Sequence, residues 1–181
     1  MAEAVSLVLI SGAVASGKTT LALRVAALAR VDAVAAASID MDELVETVAG
    51  SDWTQVTREH RLQACELAAR LIDSLSRQGS RFVAISGSTL ATYEWDEVLD
   101  RVEVAVRPIF VRLRVSVAEA IRRAQADPMR IVTRNPDVVT RLHEAIDWSA
   151  AGQPDLEIKT DGMTAEAVAD AVMARVRSAG R

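Results

Sequence analysis

The chain has 181 residues, half of them hydrophobic, which suits one globular domain with a substantial core. Its formal net charge of −4 argues against a protein that mainly binds nucleic acid, because such proteins usually carry a basic excess. The one cysteine, Cys65, cannot form an internal disulfide, and we expect it to be a buried, inert thiol.

The amino-terminal apolar run lacks the features of a secretory signal. No Lys or Arg precedes it, and Glu3 stands where positive charge belongs. No stretch reaches the roughly 18 uninterrupted apolar residues of a membrane span. We therefore expect a single cytoplasmic domain over residues 1–181, a monomer or homodimer that binds neither membranes nor nucleic acid.

Short apolar runs alternate with helical patterns along the whole chain. In chain order, the pattern predicts a strand at 5–10, a helix from 17, a strand at 34–39, helices at 42–48 and 54–78, a strand at 82–85, a helix at 93–102, a strand at 109–115, a helix after 116, a helix at 138–148, a strand at 156–159 and a helix at 164–176. Parallel neighbours need crossover helices, so this alternation predicts an α/β sandwich with a parallel sheet.

The segment GAVASGKT, residues 12–19, fits the pattern G-x-x-x-x-G-K-[ST] between a predicted strand and a predicted helix. Glycines let the backbone N–H groups turn inward toward phosphate oxygens, and the helix N-terminus adds positive potential. Lys18 would supply charge to the β and γ phosphates, and the Thr19 hydroxyl would ligate Mg²⁺. From this segment, the expected ATP-binding residues are Gly12, Ala13, Ala15, Ser16, Gly17, Lys18, Thr19 and Thr20.

Two classes of phosphate-loop protein are disfavoured by the rest of the chain. A GTPase switch would carry N-K-x-D, but neither of the two lysines, Lys18 and Lys159, follows an Asn. A remodelling ATPase would end an apolar strand in Asp-Glu, whereas FVAIS ends in Ser86. Both observations favour a small kinase that uses ATP.

After the second predicted strand, the sequence SIDMDELVE carries Asp40, Asp42 and Glu46. This segment resembles the D-x-D segment of phosphate-loop small-molecule kinases, the group of shikimate kinases, gluconate kinases, chloramphenicol phosphotransferase and zeta-toxin-type kinases. The resemblance implies a three-layer P-loop NTPase sandwich with a five-stranded parallel sheet in the order 2-3-1-4-5. It covers nearly the whole chain in element order, but only the phosphate loop is a highly specific motif.

The same resemblance implies roles for the two aspartates. A carboxylate at this strand end faces the γ-phosphate, where it accepts the substrate hydroxyl's proton or holds metal-bound water. Asp42 is the better candidate for the hydroxyl and Asp40 for the metal, although the order could be reversed. The alternative for both is helix capping and first-turn acidic bias.

An arginine-rich segment follows the fourth predicted strand and resembles the lid of this group, at about residues 124–137. Arg130 and Arg134 are spaced to share one helical face, and Arg123 could approach the same phosphates. Closure would bring positive charge to the transferring group and exclude water, with Arg130 as a catalytic residue. The alternative is a solvated basic surface.

Acceptor recognition is less determined by the sequence. Arg58 and Arg61 resemble the arginine that meets the acceptor in shikimate-type kinases, but the surrounding F-R-x-x-E pattern is not intact. A serine and glycine segment replaces the usual glycine triplet, which makes shikimate an unexpected substrate and leaves the distal-strand acid for Mg²⁺ unaccounted for. The expected acceptor contacts are Asp42, Trp53, Arg58, Arg61, Ser86, Gly87 and Ser88.

Three further residues have alternative interpretations. Trp53 either stacks on an acceptor ring or is a packing staple before a helix. His60 and His143 are isolated in the sequence and are interpreted as surface or structural residues. The loop at 160–162 resembles the one that lies beside adenine in this group.

The sequence thus predicts a Mg²⁺-dependent ATP phosphotransferase acting on a hydroxyl of a small molecule. Sugars, nucleosides and antibiotics are all admissible acceptors, and an antibiotic-inactivating kinase is attractive because the acceptor motifs match no housekeeping substrate well. The alternatives are an ATP-binding regulatory or toxin-type protein, whose output is a conformational change, and a nucleotide kinase, which would use Arg58 and Arg61 on a monophosphate.

Overall fold

The computed structural model describes residues 4–87, 92–148 and 152–179. Five strands form one parallel sheet in the order β2-β3-β1-β4-β5, which confirms the predicted architecture and strand order. The strands are β1 Val5–Gly12, β2 Ala36–Asp40, β3 Phe82–Ser86, β4 Val106–Arg114 and β5 Leu156–Lys159. The helices are α1 Lys18–Val31, α2 Met41–Ala49, α3 Arg58–Arg77, α4 Thr92–Arg101, α5 Val117–Ala126, α6 Pro136–Glu144 and α7 Ala165–Ala179.

The central strand β1 has a continuous apolar run from Leu7 to Ile10 because both of its faces are buried there. Val8 and Ile10 pack with α1 and α7 on one face of the sheet. Leu7 and Leu9 pack with α2, α3 and α4 on the other. A strand covered on both sides needs a continuous apolar run rather than an alternating one. The two cores give the molecule its three layers.

A small third core joins the carboxyl-terminal elements to the phosphate loop. Ala15 of the loop packs with Ala120 and Ala124 of α5 and with Val139 of α6. The residues between these helices, 127–135, contain a 3₁₀ turn, Val132–Arg134, and no α-helix. The expectation that Arg130 and Arg134 share a helical face is therefore wrong, because the segment that carries them is not helical.

The predicted helix over 54–78 is interrupted near its start. A 3₁₀ turn spans Trp53–Gln55, and α3 begins three residues later. The Thr57 side chain accepts a hydrogen bond from the His60 backbone N–H, and the His60 ring accepts one from the Thr57 N–H. This capping box fixes the helix start, and it gives His60 the structural role that the sequence suggested.

In the described part of the chain, no helix is both long enough and apolar enough to cross a membrane.

Candidate active site

The phosphate loop lies between the end of β1 and the start of α1. Its backbone conformation depends on two glycines, Gly12 and Gly17. A Cβ at Gly12 would lie 2.6 Å from the Leu113 carbonyl oxygen and 2.8 Å from the Ser16 hydroxyl. Gly17 precedes α1 with a φ of 97°, in the left-handed region that favours glycine. The Ser16 hydroxyl is buried and has no hydrogen-bond partner within the described structure. The loop thus buries the Ser16 hydroxyl without giving it a hydrogen-bond partner from the described residues.

Lys18 lies in the middle of this cradle. Its ammonium group donates to the Ala13 carbonyl oxygen at 3.1 Å, and the side chain is buried. Burial lowers the pKa of Lys18, the nearby carboxylates of Asp42 and Asp40 oppose that shift, and the Arg130 guanidinium reinforces it. Three charged side chains therefore lie close enough to Lys18 to affect its pKa. Together with Lys18 they are the four residues expected to be catalytic: Lys18, Asp40, Asp42 and Arg130.

Asp40 joins three elements at the carboxyl edge of the sheet. Its Oδ2 accepts hydrogen bonds from the Thr19 hydroxyl at 2.8 Å and from the Ser86 hydroxyl at 3.2 Å. Its Oδ1 accepts from the backbone N–H of Asp42 at 2.9 Å and caps α2. Both interpretations of Asp40 therefore have a structural counterpart, because one oxygen caps a helix while the other faces the hydroxyl that would ligate the metal.

The position of Asp40 also accounts for the serine at the end of β3. The register of the sheet pairs Asp40 of β2 directly with Ser86 of β3. The carboxylate that meets the end of β3 thus belongs to the neighbouring strand β2. Ser86 is buried, and its hydroxyl is bonded to that acid.

These residues fit a hydrated Mg²⁺ ion. Mg²⁺ is usually held by one or two protein oxygens together with waters and substrate phosphates. The Thr19 hydroxyl and the Asp40 carboxylate supply two oxygens beside the phosphate loop. Over the described ranges, no cluster of three or more His, Cys, Asp or Glu side chains forms an all-protein metal cage. The donor set is therefore typical of a metal that arrives with a phosphate ligand.

A cavity of about 440 Å³ opens beside the phosphate loop, between α1 and the segment that joins β5 to α7. Ser16, Gly17 and Thr20 line one side, while Thr160 and Gly162 line the other. The loop at 160–162 therefore lies where a base attached to loop-bound phosphates would reach. Its contact with adenine stays a prediction.

The three arginines of the expected lid have different surroundings. Arg123 lines the 440 Å³ cavity and donates to the Thr160 carbonyl oxygen at 2.7 Å and to Glu119 at 2.8 Å. Arg130 donates a hydrogen bond to the Asp127 carboxylate at 3.1 Å. Of the three arginines, it is the one whose charge lowers the pKa of Lys18. Arg134 donates to the Gln125 carbonyl oxygen in the last turn of α5 at 3.3 Å.

Three residues expected to contact the acceptor lie at or just before the start of α3, and two of them contact the first turn of α4. Nη1 of Arg61 lies 3.2 Å from Oε1 of Glu94, and the Arg58 guanidinium lies 5.5 Å from the centre of the Tyr93 ring. Trp53 is 39 % exposed, and its indole N–H donates to Glu46 at 2.8 Å. This exposure does not fit a buried packing staple.

The remaining two acceptor positions follow β3. Gly87 is buried, and its N–H donates to the Ile10 carbonyl oxygen at 3.2 Å. Ser88 lies outside the described residues.

Two contacts near the site were not predicted from the sequence, one made by Glu94 and one by His143, which was interpreted as a surface or structural residue. Glu94 is a buried acid in the first turn of α4, where an acidic residue is usually explained by the helix dipole. His143 of α6 has its Nε2 3.2 Å from the Val14 carbonyl oxygen, in the phosphate loop. Neither contact has a local sequence signal, because both join residues far apart in the chain.

The sequence matches the family model of shikimate kinase over residues 14–177. The chain belongs to the shikimate kinase family. As a member, it is a small-molecule kinase of the phosphate-loop type. No curated protein matches the sequence.

Solved structures agree with this fold. The APS kinase of Mycobacterium tuberculosis, in complex with AMPPNP and APS, superposes with a TM-score of 0.70 at 18% identity, covering 96% of this chain and 98% of its own. A gluconokinase from Sinorhizobium meliloti gives 0.67 at 13% identity, with 96% and 92% covered. Shikimate kinase from Bacteroides thetaiotaomicron gives 0.67 at 16% identity, with 95% and 98% covered. At these identities the likeness shows the fold alone.

Proposed function

We propose that this shikimate kinase family member transfers the γ-phosphoryl group of ATP to a hydroxyl group of a small molecule, with Mg²⁺ as cofactor. The observation that carries the proposal is the convergence of Lys18, Asp40, Asp42 and Arg130 beside one phosphate loop. Phosphoryl transfer needs little covalent chemistry from a protein. It depends on positioning and on neutralising charge at the transferring group.

Each group has a distinct role in the proposed reaction. The loop amides and Lys18 bind the β and γ phosphates, and the Thr19 hydroxyl with the Asp40 carboxylate holds Mg²⁺, which neutralises phosphate charge when bound. Asp42 orients the acceptor hydroxyl and accepts its proton. Arg130 contributes positive charge to the transferring phosphoryl group.

The division of roles between Asp40 and Asp42 rests on the groups that each carboxylate lies beside. Asp40 Oδ2 accepts a hydrogen bond from the Thr19 hydroxyl, the proposed metal ligand, while its Oδ1 caps α2. Asp42 lies one residue further along, in the first turn of α2, and its carboxylate acts on Lys18 as well. Asp40 therefore suits the metal shell, and Asp42 the acceptor.

The acceptor class follows from the site only as far as a hydroxyl compound. The family and the kinases of similar fold are named for shikimate, APS and gluconate. All three compounds carry hydroxyl groups. Sugars, nucleosides and hydroxylated antibiotics each satisfy the same requirement.

The test is ADP release measured over a panel of hydroxylated metabolites and antibiotics, with wild type beside Asp42→Asn. At least one acceptor should stimulate ADP release, and Asp42→Asn should lower the stimulated rate by about 10² to 10⁴, the usual contribution of a positioned base. Glu43→Gln is the matched control, an exposed acid in the same helical turn, and should retain the wild-type rate. ADP release that no acceptor stimulates would contradict the proposal.

A further inference from the structure

We propose that His143 is a positioning residue for nucleotide binding, which aims the backbone N–H of Ala15 at a phosphate group. The inference rests on the proposed function and deepens it, because that phosphate would belong to ATP. His143 lies in α6, and its Nε2 is 3.2 Å from the carbonyl oxygen of Val14 in the phosphate loop. A carbonyl oxygen only accepts hydrogen bonds, so Nε2 carries the proton in this contact and is the donor.

This hydrogen bond restrains the whole peptide unit between Val14 and Ala15. The described residues contain no cis peptide bond, and in a trans peptide unit the C=O and N–H groups point in opposite directions. With the Val14 carbonyl oxygen directed at α6, the Ala15 N–H is directed away from that helix. It donates to no other described residue, whereas the Ser16 N–H donates to the Ala13 carbonyl oxygen at 3.2 Å. The Ala15 N–H is therefore available to a phosphate oxygen.

The backbone of Ala15 needs such a restraint. Its φ is 58°, in the left-handed region that residues with a Cβ adopt at a cost. Left-handed residues contribute to concave backbone arrangements in which successive N–H groups face one anion. The Ala15 side chain packs with Val139, which lies four residues before His143 and so on the same face of α6. One face of α6 thus holds both the Ala15 side chain and the Val14 carbonyl group.

The neighbouring carbonyl group of the loop is held in a different way. The Ala13 carbonyl oxygen accepts hydrogen bonds from the Lys18 ammonium group and from the Ser16 N–H, both within residues 12–19. The Val14 carbonyl oxygen is instead bonded from another element, by His143. Without that donor, the described contacts of the 14–15 peptide unit reduce to apolar packing, which does not fix the direction of an N–H group.

The experiment measures the binding of tripolyphosphate, which has phosphates but neither a base nor an acceptor hydroxyl. Binding is measured by calorimetry with Mg²⁺ present for wild type, His143→Phe and His143→Gln. Phe keeps a ring but has no donor, so the affinity should fall about threefold to tenfold, the usual worth of one hydrogen bond. The side-chain amide of Gln can donate to the same carbonyl oxygen and should restore most of the affinity.

A second readout reports on the Ala15 N–H itself. In the ¹H–¹⁵N spectrum of wild type, tripolyphosphate should move the Ala15 amide proton downfield, because a charge-assisted hydrogen bond forms. This shift should be smaller in His143→Phe and restored in His143→Gln. Glu144→Gln is the matched control, an exposed neighbour on α6, and should change neither the affinity nor the shift. Thermal unfolding shows which variants are folded, and His143→Met replaces His143→Phe if the latter is not.

The outcomes separate this inference from the proposed function. The assignment of His143 is overturned if wild type does not bind tripolyphosphate, if the folded variant without a donor binds it as tightly as wild type, or if His143→Gln restores nothing. A purely structural role would lower the thermal stability of the variants and leave the Ala15 shift unchanged. The predicted binding pattern together with ADP release that no acceptor stimulates contradicts the proposed function and leaves the assignment of His143 standing.

Discussion

Asp40 makes hydrogen bonds that serve two separate purposes at the end of β2. One oxygen caps α2 through the backbone N–H of Asp42, and the other accepts from Thr19 and Ser86. Asn caps a helix about as well as Asp but carries no charge for a metal ion. A single substitution can therefore separate the capping role of this residue from its proposed role in the metal shell.

We expect Asp40→Asn to retain the stability of wild type while losing Mg²⁺-dependent turnover. Loss of a residue from the shell of a metal site typically costs about 10- to 100-fold in metal affinity, so the apparent affinity for Mg²⁺ should fall about tenfold or more. The measurements are a Mg²⁺ titration of activity and a thermal unfolding curve. Asp32→Asn is the control, because Asp32 lies on the surface and pairs with Arg177. It should change neither nucleotide binding nor Mg²⁺ binding. Unchanged Mg²⁺ dependence in Asp40→Asn would remove Asp40 from the metal shell.

Cys65 is buried at the packing surface of α3, and its thiol donates to the Glu94 carbonyl oxygen at 3.5 Å. Burial, together with the negative charges of Glu94 and Glu97, raises the pKa of Cys65 to about 12. The reactive thiolate is then about one part in 10⁴ at pH 8. This agrees with the expectation of an inert thiol.

Native protein at pH 8 should therefore leave Cys65 unmodified by a thiol reagent, and denatured protein should react with one equivalent. Because the pKa is raised in the folded state, the unfolded state ionises first, and stability should fall as pH rises from about 9 toward 12. Rapid stoichiometric modification of the native protein would show that this part of α3 opens readily.

At the scale of elements, Asp73 of α3 holds the turn between α4 and β4. Its buried carboxylate accepts from the backbone N–H groups of Glu103 and Val104, each at 3.1 Å. These two N–H groups have no strand or helix partner at the turn, so the side chain replaces a backbone acceptor. The contact fixes the point where the chain enters β4.

Asp73→Ala should lower the free energy of unfolding by about 2 kcal/mol, because it leaves two backbone donors without their acceptor. Asp73→Asn keeps one side-chain oxygen as an acceptor, so its free energy of unfolding should fall by less than that of Asp73→Ala. Denaturant unfolding measures both. Equal stability of Asp73→Ala and wild type would mean that water or another group satisfies the turn.

The elements also indicate how much the sequence can specify. Buried parallel strands need continuous apolar runs, so all five were predictable, and β5 has the predicted bounds. The start of α3 was missed although Thr57 and His60 form its capping box. The phosphate loop was predictable because its residues are contiguous. The contacts of Asp40 with Ser86 and of Glu94 with Arg61 were not, since strand register and helix packing create them.

At the scale of the whole molecule, the segment between α5 and α6 exposes large apolar side chains. Met129, Ile131 and Val132 are 86%, 87% and 69% exposed, next to Arg130. Groups of exposed apolar residues are typical of surfaces that become covered in another state. The proposed lid closure over nucleotide would cover part of this segment.

We expect Mg²⁺ and AMPPNP to slow tryptic cleavage after Arg130 and Arg134 by tenfold or more, because closure removes these bonds from solvent. Lys18→Ala, which should not bind the nucleotide, serves as the control and should show no protection. Cleavage at an unchanged rate in nucleotide-loaded wild type would contradict closure of this segment.

The most direct test of the central claim is a calorimetric titration with AMPPNP, with and without Mg²⁺, for wild type, Lys18→Ala and Asp40→Asn. The account predicts Mg²⁺-dependent binding at one site per chain in wild type, and an affinity at least tenfold lower in Lys18→Ala, from loss of a charge-assisted contact. In Asp40→Asn, the enhancement by Mg²⁺ should be lost. Absence of binding to wild type, or equal affinity in all three proteins, would contradict the assignment of residues 12–19 and Asp40 to a metal–nucleotide site.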